Sequence, residues 1–342
     1  MKTTILGIES TSHTFGIGVA ALIDNKPAIL ANIISRYVPE KGGIHPREAS
    51  QHHITEAPKV LKKALETAGI SINDVDGIAV ALGPGLGPCL RVGATLARFL
   101  ASYYDKPLIP VNHAVAHIEI GKMMFNLSDP LVVYVSGGNT MIVIQKKKRY
   151  RVLGETLDVA IGNLIDTFVR EIGLAPPYII KGKHVLDVCA EWGSNFIELP
   201  YTVKGNDLSF SGLLTATLRI AKNISKDDRN AIGDLCLSFR ETAYNMLVEV
   251  SERALALTHK KSVLLVGGVA ASKYLDRKFK IMTSIHNASY YVVPPEYAGD
   301  NGAMIAWTGL LLYLHKRFIE PINAIVKQKW RLDEVVLPWL PD

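Results

Sequence analysis

Apolar residues recur with strand and helix periods along the first third of the chain. Three strand patterns open the sequence, at residues 4–9, 15–20 and 28–33. An amphipathic helix pattern runs from about residue 50 to residue 69, and the apolar run Gly77–Leu82 is typical of a buried strand. That strand leads into a loop rich in glycine and proline at 83–93, after which we predict a helix at 92–104 and a short strand at 107–111.

The same strand pattern returns near the middle of the chain. The new strands are predicted at residues 131–136, 140–144 and 150–153. In both places small polar residues join the first two strands, which indicates an internally duplicated, ATPase-like α/β architecture with a nucleotide between two lobes. We predict an N-terminal lobe at 1–128 and a C-terminal lobe at 129–342, the second with a helical insertion at about 155–260 and a C-terminal helix.

Two histidines stand four residues apart after the strand at 107–111. If Asn112 caps a helix, His113 and His117 lie one turn apart on one face, the spacing at which two imidazoles can share a metal ion. Zinc peptidases with the pattern H-E-x-x-H carry a general-base glutamate where this chain has Ala114. The pattern alone leaves a second interpretation open, in which both histidines are hydrogen-bonded residues of a buried helix.

Small polar residues also cluster at the ends of predicted strands. The turn Ser10–Thr14 offers N–H and hydroxyl groups to phosphate oxygens. The junction Gly267–Ser272 follows a buried strand and resembles an adenosine-binding turn. Asp300 precedes the last predicted helix, where its carboxylate either caps the helix or binds a metal ion.

Composition places the chain among globular proteins. Hydrophobic residues make up 48% and charged residues 20%, and no apolar run reaches the roughly 20 residues of a membrane span, so we predict a cytoplasmic protein without a membrane partner. Three widely spaced cysteines, Cys89, Cys189 and Cys236, predict reduced thiols rather than a disulfide framework.

The charge balance is modestly basic. The formal net charge of +6 is compatible with a polyanionic partner but does not establish one. The clusters Lys146–Arg149 and His315–Arg317 either contact phosphates or are ordinary solvated turns and helix ends.

Eight short motifs in a fixed order cover nearly the whole chain. They are Gly7–Glu9, Gly43–Glu48, Gly83–Gly93, Asn112–His117, Tyr134–Thr140, Phe210–Gly212, Gly267–Ala271 and Gly299–Ala306. In this order they resemble the archaeal and eukaryotic branch of the TsaD/OSGEP family. The resemblance implies the two-lobed ASKHA fold of actin, sugar kinases and heat-shock ATPases, with two RNase H-like lobes. It also implies a tRNA N6-adenosine threonylcarbamoyltransferase that modifies the adenosine beside the anticodon, position 37, in tRNAs reading codons that start with A.

The family's metal ligands fall on residues from both predicted lobes. The resemblance assigns them to His113, His117, Tyr134 and Asp300. Two imidazoles, a phenolate and a carboxylate suit iron or zinc rather than magnesium. We expect iron, with zinc as the alternative, and we expect the ion to clamp the donor between the lobes as a Lewis acid and template.

The family's remaining functional residues are carried over position by position. Those that bind the donor, an adenine nucleotide, are Tyr134, Val135, Ser136, Gly137, Gly138, Asp166, Gly182, Asp187 and Ser272. Two places depart from the family pattern: residues 175–184 replace a P-G-G-P loop, and Ser272 replaces an asparagine, which loses an amide donor. Glu9 and Arg47 lie in family motifs and are expected to act in positioning or in proton removal.

The implied reaction is acyl transfer from threonylcarbamoyl-AMP to tRNA. The expected partners besides tRNA are the other KEOPS subunits: a small atypical protein kinase/ATPase, a dimerising subunit and an accessory subunit. Two other functions are kept as alternatives: a metal-dependent glycoprotein endopeptidase, which Ala114 argues against, and an ATPase or kinase of the same fold.

Overall fold

The chain forms two compact units in a computed structural model that describes residues 2–39 and 42–341. Unit 1 comprises Met1–Leu127, Gln145–Arg151 and Gly299–Asp342, and unit 2 comprises Ser128–Ile144 and Val152–Ala298. The predicted lobe boundary lies near the first division between the units. After residue 298 the two differ, because the structure groups Gly299–Asp342 with the N-terminal residues in unit 1, whereas the prediction keeps this segment in the C-terminal lobe.

Unit 1 is built on a five-stranded sheet of order β3-β2-β1-β4-β5. Its strands are β1 (Lys2–Glu9), β2 (Thr14–Ile23), β3 (Lys26–Arg36), β4 (Gly77–Gly83) and β5 (Leu108–Asn112). The first three strands pair antiparallel, whereas β4 and β5 continue the sheet in parallel. Almost every residue of β1, β2 and β4 is buried, as expected for strands with continuous apolar runs.

The second sheet repeats this plan with the order β14-β13-β6-β7-β8. Its strands are β6 (Leu131–Val135), β7 (Thr140–Lys146), β8 (Arg149–Glu155), β13 (Ser262–Val266) and β14 (Ser289–Val292). The strand β6 pairs antiparallel with β7 and parallel with β13, just as β1 pairs with β2 and with β4. Since the two sheets share strand order and strand sense, the predicted internal duplication is confirmed.

Helices surround both sheets. The α-helices among the described residues are α1 (Pro46–Ala68), α2 (Gly87–Tyr103), α3 (His113–Phe125), α4 (Ile161–Glu171), α5 (Val185–Ala190), α6 (Ser211–Ala221), α7 (Arg229–Thr258), α8 (Lys273–Ile285), α9 (Pro295–Ala298) and α10 (Gly302–Leu314). Two short antiparallel ladders lie within the predicted helical insertion: β9 (Ile179–Ile180) with β10 (Lys183–His184), and β11 (Val203–Lys204) with β12 (Asp207–Leu208). A search of the described helices found none with the length and apolarity needed to cross a membrane.

The helix α10 lies directly on the sheet of unit 1. A Cβ atom on Gly7 of β1 would stand 2.1 Å from the Ala306 nitrogen, and one on Gly18 of β2 would stand 2.2 Å from the Ala303 nitrogen. In the same way, a Cβ on Gly302 would meet the Gly18 nitrogen at 2.1 Å. Real Cβ atoms do not approach other atoms this closely, so these glycines allow α10 and the strands to touch backbone to backbone.

A disulfide joins Cys189 of α5 to Cys236 of α7 inside unit 2. The prediction that all three cysteines are reduced is therefore wrong for this pair, and only Cys89 is free among the three. The two partners stand 47 residues apart on helices that pack together, a relationship that spacing along the chain does not reveal.

Candidate active site

The two histidines of α3 are positioned by the helix start. Asn112 accepts hydrogen bonds at its side-chain oxygen from the backbone N–H groups of Ala114, at 3.0 Å, and Val115, at 3.2 Å. The cap fixes the first turn of α3, and the rings of His113 and His117 stand 4.7 Å apart between centroids. The predicted capped helix and the one-turn histidine spacing are confirmed.

Asp300 meets both imidazoles within unit 1. Its Oδ1 lies 3.3 Å from His117 Nε2 and 3.5 Å from His113 Nε2. The cap of α10 is the neighbouring residue, because the Asn301 side chain accepts from the Met304 N–H. Of the two roles considered for Asp300, the structure therefore assigns capping to Asn301 and aims the Asp300 carboxylate at the histidines.

The orientation of His113 is set by the end of β1. Its Nδ1 lies 2.8 Å from Oε2 of Glu9, and the Thr11 hydroxyl lies 3.2 Å from the same nitrogen. Glu9 is fully buried and also accepts a hydrogen bond from the Thr11 N–H. Because Nδ1 is held by the carboxylate, Nε2 is the atom that His113 presents toward Asp300.

Burial and neighbouring charges together set the pKa values of this cluster. Burial lowers the pKa of His113, but the negative charges of Glu9 and Asp300 outweigh it and raise the pKa to about 9. Burial raises the pKa of Asp300, but the charge of His113 and the hydrogen bond from His117 bring it well below its usual range. Burial lowers the pKa of His117. In the metal-free protein His113 is consequently a cation at neutral pH and Asp300 is an anion.

The donor set fits a transition metal. The ligand atoms of His113, His117 and Asp300 all lie within 4.8 Å of one another. Ligands bound tetrahedrally at 2.0–2.2 Å stand about 3.4 Å apart, close to the two Nε2–Oδ1 distances. Two histidines and one carboxylate with further positions open suit iron or zinc, and Glu9 supplies the carboxylate that commonly orients a ligating histidine.

Tyr134, the fourth ligand implied by the family resemblance, belongs to unit 2. It lies in β6, its side chain is fully buried, and the Asn139 side-chain amide donates to its hydroxyl at 3.4 Å. Its role as a metal ligand stays a prediction.

The residues Val135–Gly138 end β6 in a tight turn. The Ser136 hydroxyl accepts from the N–H groups of Gly138, at 3.3 Å, and Asn139, at 3.0 Å. Apart from the glycine itself and its two chain neighbours, no heavy atom of the described residues lies within 4 Å of a Cβ built on Gly137 or Gly138, so the backbone of this turn is open to close approach. This geometry is compatible with the predicted phosphate contacts.

A buried polar cluster surrounds Asp187. The Ser272 hydroxyl donates to Asp187 Oδ2 at 3.4 Å, and the Tyr244 hydroxyl donates to Ser272 at 3.2 Å. Arg240, which is 4% exposed, holds its Nη1 3.6 Å from Asp187 Oδ1 and stacks over the Tyr274 ring at 3.7 Å. Burial raises the pKa of Asp187, and the Arg240 charge opposes that shift.

Asp166 is linked to the same region of unit 2. The His184 side chain caps α5 by accepting at Nδ1 from the Leu186 N–H, and its Nε2 then donates to Asp166 Oδ1 at 3.1 Å. Gly182, in the turn between β9 and β10, has a φ of +77°, which favours glycine there. The structure thus brings Asp166, Asp187 and Ser272 near α5, whereas Arg47 lies exposed in the first turn of α1.

Sequence reasoning missed Arg240 and Tyr244. Both lie in the middle of the 30-residue helix α7, where no turn or glycine-rich segment marks them. The available signal was their spacing of four residues on one helix face, which is common in helices without function.

Two solved structures share the fold at low identity. HypF from T. kodakarensis matches with a TM-score of 0.62 and 16% identity, covering 95% of this chain and 49% of its own. An activator of 2-hydroxyisocaproyl-CoA dehydratase from Clostridium difficile matches with a TM-score of 0.52 and 13% identity, covering 92% and 97%. The fold and the duplicated sheets define an α/β protein of the ASKHA class, as predicted.

Sequence comparison gives the family within this class. The family model described as "TsaD: tRNA N6-adenosine threonylcarbamoyltransferase" matches residues 28–307. Proteins named tRNA N6-adenosine threonylcarbamoyltransferase are 67% identical over 339 residues in Staphylothermus marinus, covering 98% of this chain and 100% of that protein, and 58% identical over 335 residues in Hyperthermus butylicus, covering 98% and 91%. The chain belongs to the TsaD family and is a transferase, so the predicted family is confirmed.

Proposed function

We propose that the protein transfers a threonylcarbamoyl group from threonylcarbamoyl-AMP to N6 of the adenosine at position 37, beside the anticodon, in tRNAs that read A-starting codons. The observation that carries this proposal is the convergence of His113, His117 and Asp300 under the orienting Glu9, in a chain of the TsaD family. The names of the family model and of the relatives support tRNA as the substrate, and the His113, His117 and Asp300 cluster supports a bound metal ion.

The proposed functional residues form two groups, one in each unit. In unit 1, His113, His117 and Asp300 hold a divalent ion, iron or zinc, which supplies positive charge to anionic oxygens of the donor. In unit 2, the backbone of the 136–139 turn binds phosphate, and Asp166 and Asp187 accept hydrogen bonds from ribose hydroxyls. Tyr134 is proposed as the further ligand.

The reaction needs no covalent enzyme intermediate. The N6 amine attacks the carbonyl carbon of the mixed anhydride, the new C–N bond forms, and the bond from that carbon to the phosphate oxygen breaks. AMP leaves with the electron pair, and the proton that the amine loses passes to water. Positioning of the two reactants and stabilisation of the developing oxyanion by fixed donors supply the rate enhancement.

We also propose that the protein acts as the catalytic subunit of KEOPS. Its partners there are a small atypical protein kinase/ATPase, a dimerising subunit and an accessory subunit. The similarity to archaeal TsaD proteins supports this proposal.

The test is a reconstituted assay with synthetic donor and unmodified tRNA transcript. We expect His113→Ala combined with His117→Ala to lose bound metal and to lower modification at least about 100-fold, since two of the ion's protein ligands are gone. His259→Asn, at an exposed position with a φ of +53° that asparagine tolerates, is the matched control. Full modification by the double variant would contradict the proposed role of the metal. As a substrate control, a transcript with guanosine instead of adenosine at position 37 should not be modified.

A further inference from the structure

Three basic clusters that are distant in sequence meet on one segment of unit 1. They come from the hairpin tip 145–151, from the end of α10 at 315–317 and from residues 327–331. The contacts that join them run along the stretch from Lys327 to Trp339. These clusters are not part of the metal site or of the proposed donor site.

The hairpin tip is tied to this stretch by one side chain and by one main-chain hydrogen bond. The Arg149 guanidinium donates to the carbonyl oxygens of Asp333 at 3.3 Å and Glu334 at 3.4 Å. The Leu337 N–H donates to the Lys148 carbonyl at 2.8 Å. At the other cluster, the His315 ring lies 6.2 Å from the Trp339 ring.

Positive charge is concentrated in these segments. Residues 145–151 and 315–341 contain ten Lys and Arg against three Asp and Glu, a formal net charge of +7, whereas the whole chain carries +6. The rest of the protein is therefore nearly neutral. Eight of the ten basic side chains are exposed: Lys146, Lys147, Arg151, Lys316, Arg317, Lys327, Lys329 and Arg331. We call these eight residues the basic surface.

The basic surface is fixed next to the helix that carries the histidines. The Lys327 N–H donates to the Leu82 carbonyl at 2.7 Å, and a Cβ on Gly83 would stand 1.9 Å from the Lys327 carbonyl oxygen. The Asn112 side-chain amide donates to the Trp330 carbonyl at 3.1 Å. Since Asn112 also caps α3, one residue connects the 327–331 segment to the start of the helix that carries the two histidines.

We propose that the basic surface binds the phosphate backbone of the tRNA substrate and thereby delivers the target adenosine to the metal site; this inference rests on the proposed function. Exposed lysines and arginines on segments that contact one another are what a polyanion requires, and neutralising several phosphates contributes a large share of affinity for nucleic acids. The half-buried Trp330, with Lys327 Nζ 5.0 Å from its ring centre, adds an aromatic face beside the charges.

The test measures tRNA binding by the full-length chain across a range of salt concentrations. We expect Lys146→Glu with Lys147→Glu, and separately Lys327→Glu with Lys329→Glu, to weaken binding at least about 10-fold at low salt and to lower the slope of log affinity against log salt by about 2. Lys62→Glu with Lys63→Glu, two adjacent exposed lysines of α1, makes the same change in net charge and should alter affinity less than about twofold. Lys327→Gln with Lys329→Gln should lower the slope without introducing repulsion.

The outcomes separate this proposal from the proposed function. If both charge-reversal variants bind tRNA as tightly as the Lys62/Lys63 control variant, the basic surface does not bind tRNA. Binding of an acidic protein then becomes the better interpretation of this surface. If the charge reversals do weaken binding but the wild-type protein transfers nothing from threonylcarbamoyl-AMP, the surface stands and the proposed function fails. Bound metal and donor affinity, measured in the same variants, should equal those of wild type.

Discussion

Glu9 and His113 are joined by a buried hydrogen bond of 2.8 Å that links the end of β1 to the start of α3. The sequence analysis expects Glu9 to act in positioning or in proton removal, and this contact gives it a specific position behind a candidate metal ligand. With Nδ1 donating to the carboxylate, Nε2 of His113 is left as the ligand atom.

Glu9 is therefore predicted to control metal affinity. Removing the carboxylate frees the imidazole to rotate and makes it less basic, so Glu9→Ala should lower metal affinity about 10- to 100-fold, and Glu9→Gln, which keeps an acceptor oxygen, should lower it less. Competition with a chelator measures the affinity, and Glu66→Gln on the exposed face of α1 is the control. Wild-type affinity in Glu9→Ala would refute the orienting role.

Arg240 is predicted to stabilise the fold through Asp187. Arg240→Met leaves a buried carboxylate without its counter-charge and should cost about 3–5 kcal/mol of unfolding free energy, whereas Arg240→Lys, which keeps the charge, should cost less. The pKa of Asp187 is already raised by burial and rises further without Arg240. The variant should therefore lose stability as pH increases through the range between the unfolded and the folded pKa of this carboxyl.

Denaturant unfolding of Arg240→Met at several pH values tests the predicted loss of stability with increasing pH. Adding Asp187→Asn to Arg240→Met removes the unpaired charge and should recover part of the loss. A stability of Arg240→Met that does not depend on pH beyond that of wild type would contradict the explanation.

The disulfide is predicted to contribute substantially to the stability of unit 2. Cys189→Ala with Cys236→Ala should lower the unfolding free energy by about 2–4 kcal/mol, because a cross-link over 47 residues restricts the unfolded chain. Wild type unfolded in the presence of a strong reductant should show a similar loss, and the double variant should not respond to reductant. Equal stability of oxidised and reduced wild type would show that the bridge adds nothing.

Asp158 is predicted to act as a remote cap of α6. Phe210, the residue at the cap position, has no capping side chain, and Asp158 accepts instead from the Phe210 and Ser211 N–H groups and the Ser211 hydroxyl. Asp158→Asn should cost about 1 kcal/mol at neutral pH. Asp227→Asn, an exposed carboxylate in the loop before α7, is the control.

The Asp158 effect has a defined pH dependence. Partial burial raises the pKa of Asp158, but hydrogen bonds from Ser211, Phe210 and Val159 outweigh it and lower the pKa well below the usual range. The contribution of the charged form is therefore complete above the unfolded pKa of about 3.9 and is lost as pH falls toward the folded pKa. Acid titration of the stability difference between wild type and Asp158→Asn should show it shrinking below about pH 4; a constant difference would argue against the ionised cap.

Local signals in the sequence were sufficient for much of the fold. The three N-terminal strands and the capped histidine helix follow from patterns within a few residues, because strand alternation, turn residues and an N-cap act over short distances. The repeat of the strand plan also predicted the duplicated sheets.

Contacts between residues far apart in the sequence could not be predicted from local patterns. The packing of α10 against β1 and β2 depends on glycines that lie nearly 300 residues before it in the sequence, a relationship that no local pattern predicts. The Cys189–Cys236 bridge and the pairing of Arg240 with Asp187 likewise join positions that no local pattern relates. The sequence analysis grouped Asp300 with the histidines only because of the family resemblance. The structure adds the distances between the Asp300 carboxylate and the two imidazoles.

The placement of α10 in unit 1 has a consequence for how the protein is made. A ribosome releases the strands and both histidines of unit 1 early, but Asp300 and the helix that covers the sheet follow only after all of unit 2 has been synthesised. A nascent chain stalled before residue 300 thus displays two imidazoles without their carboxylate and a sheet without its covering helix. The proposed set of three ligands is therefore complete only in chains whose synthesis has reached the last segment.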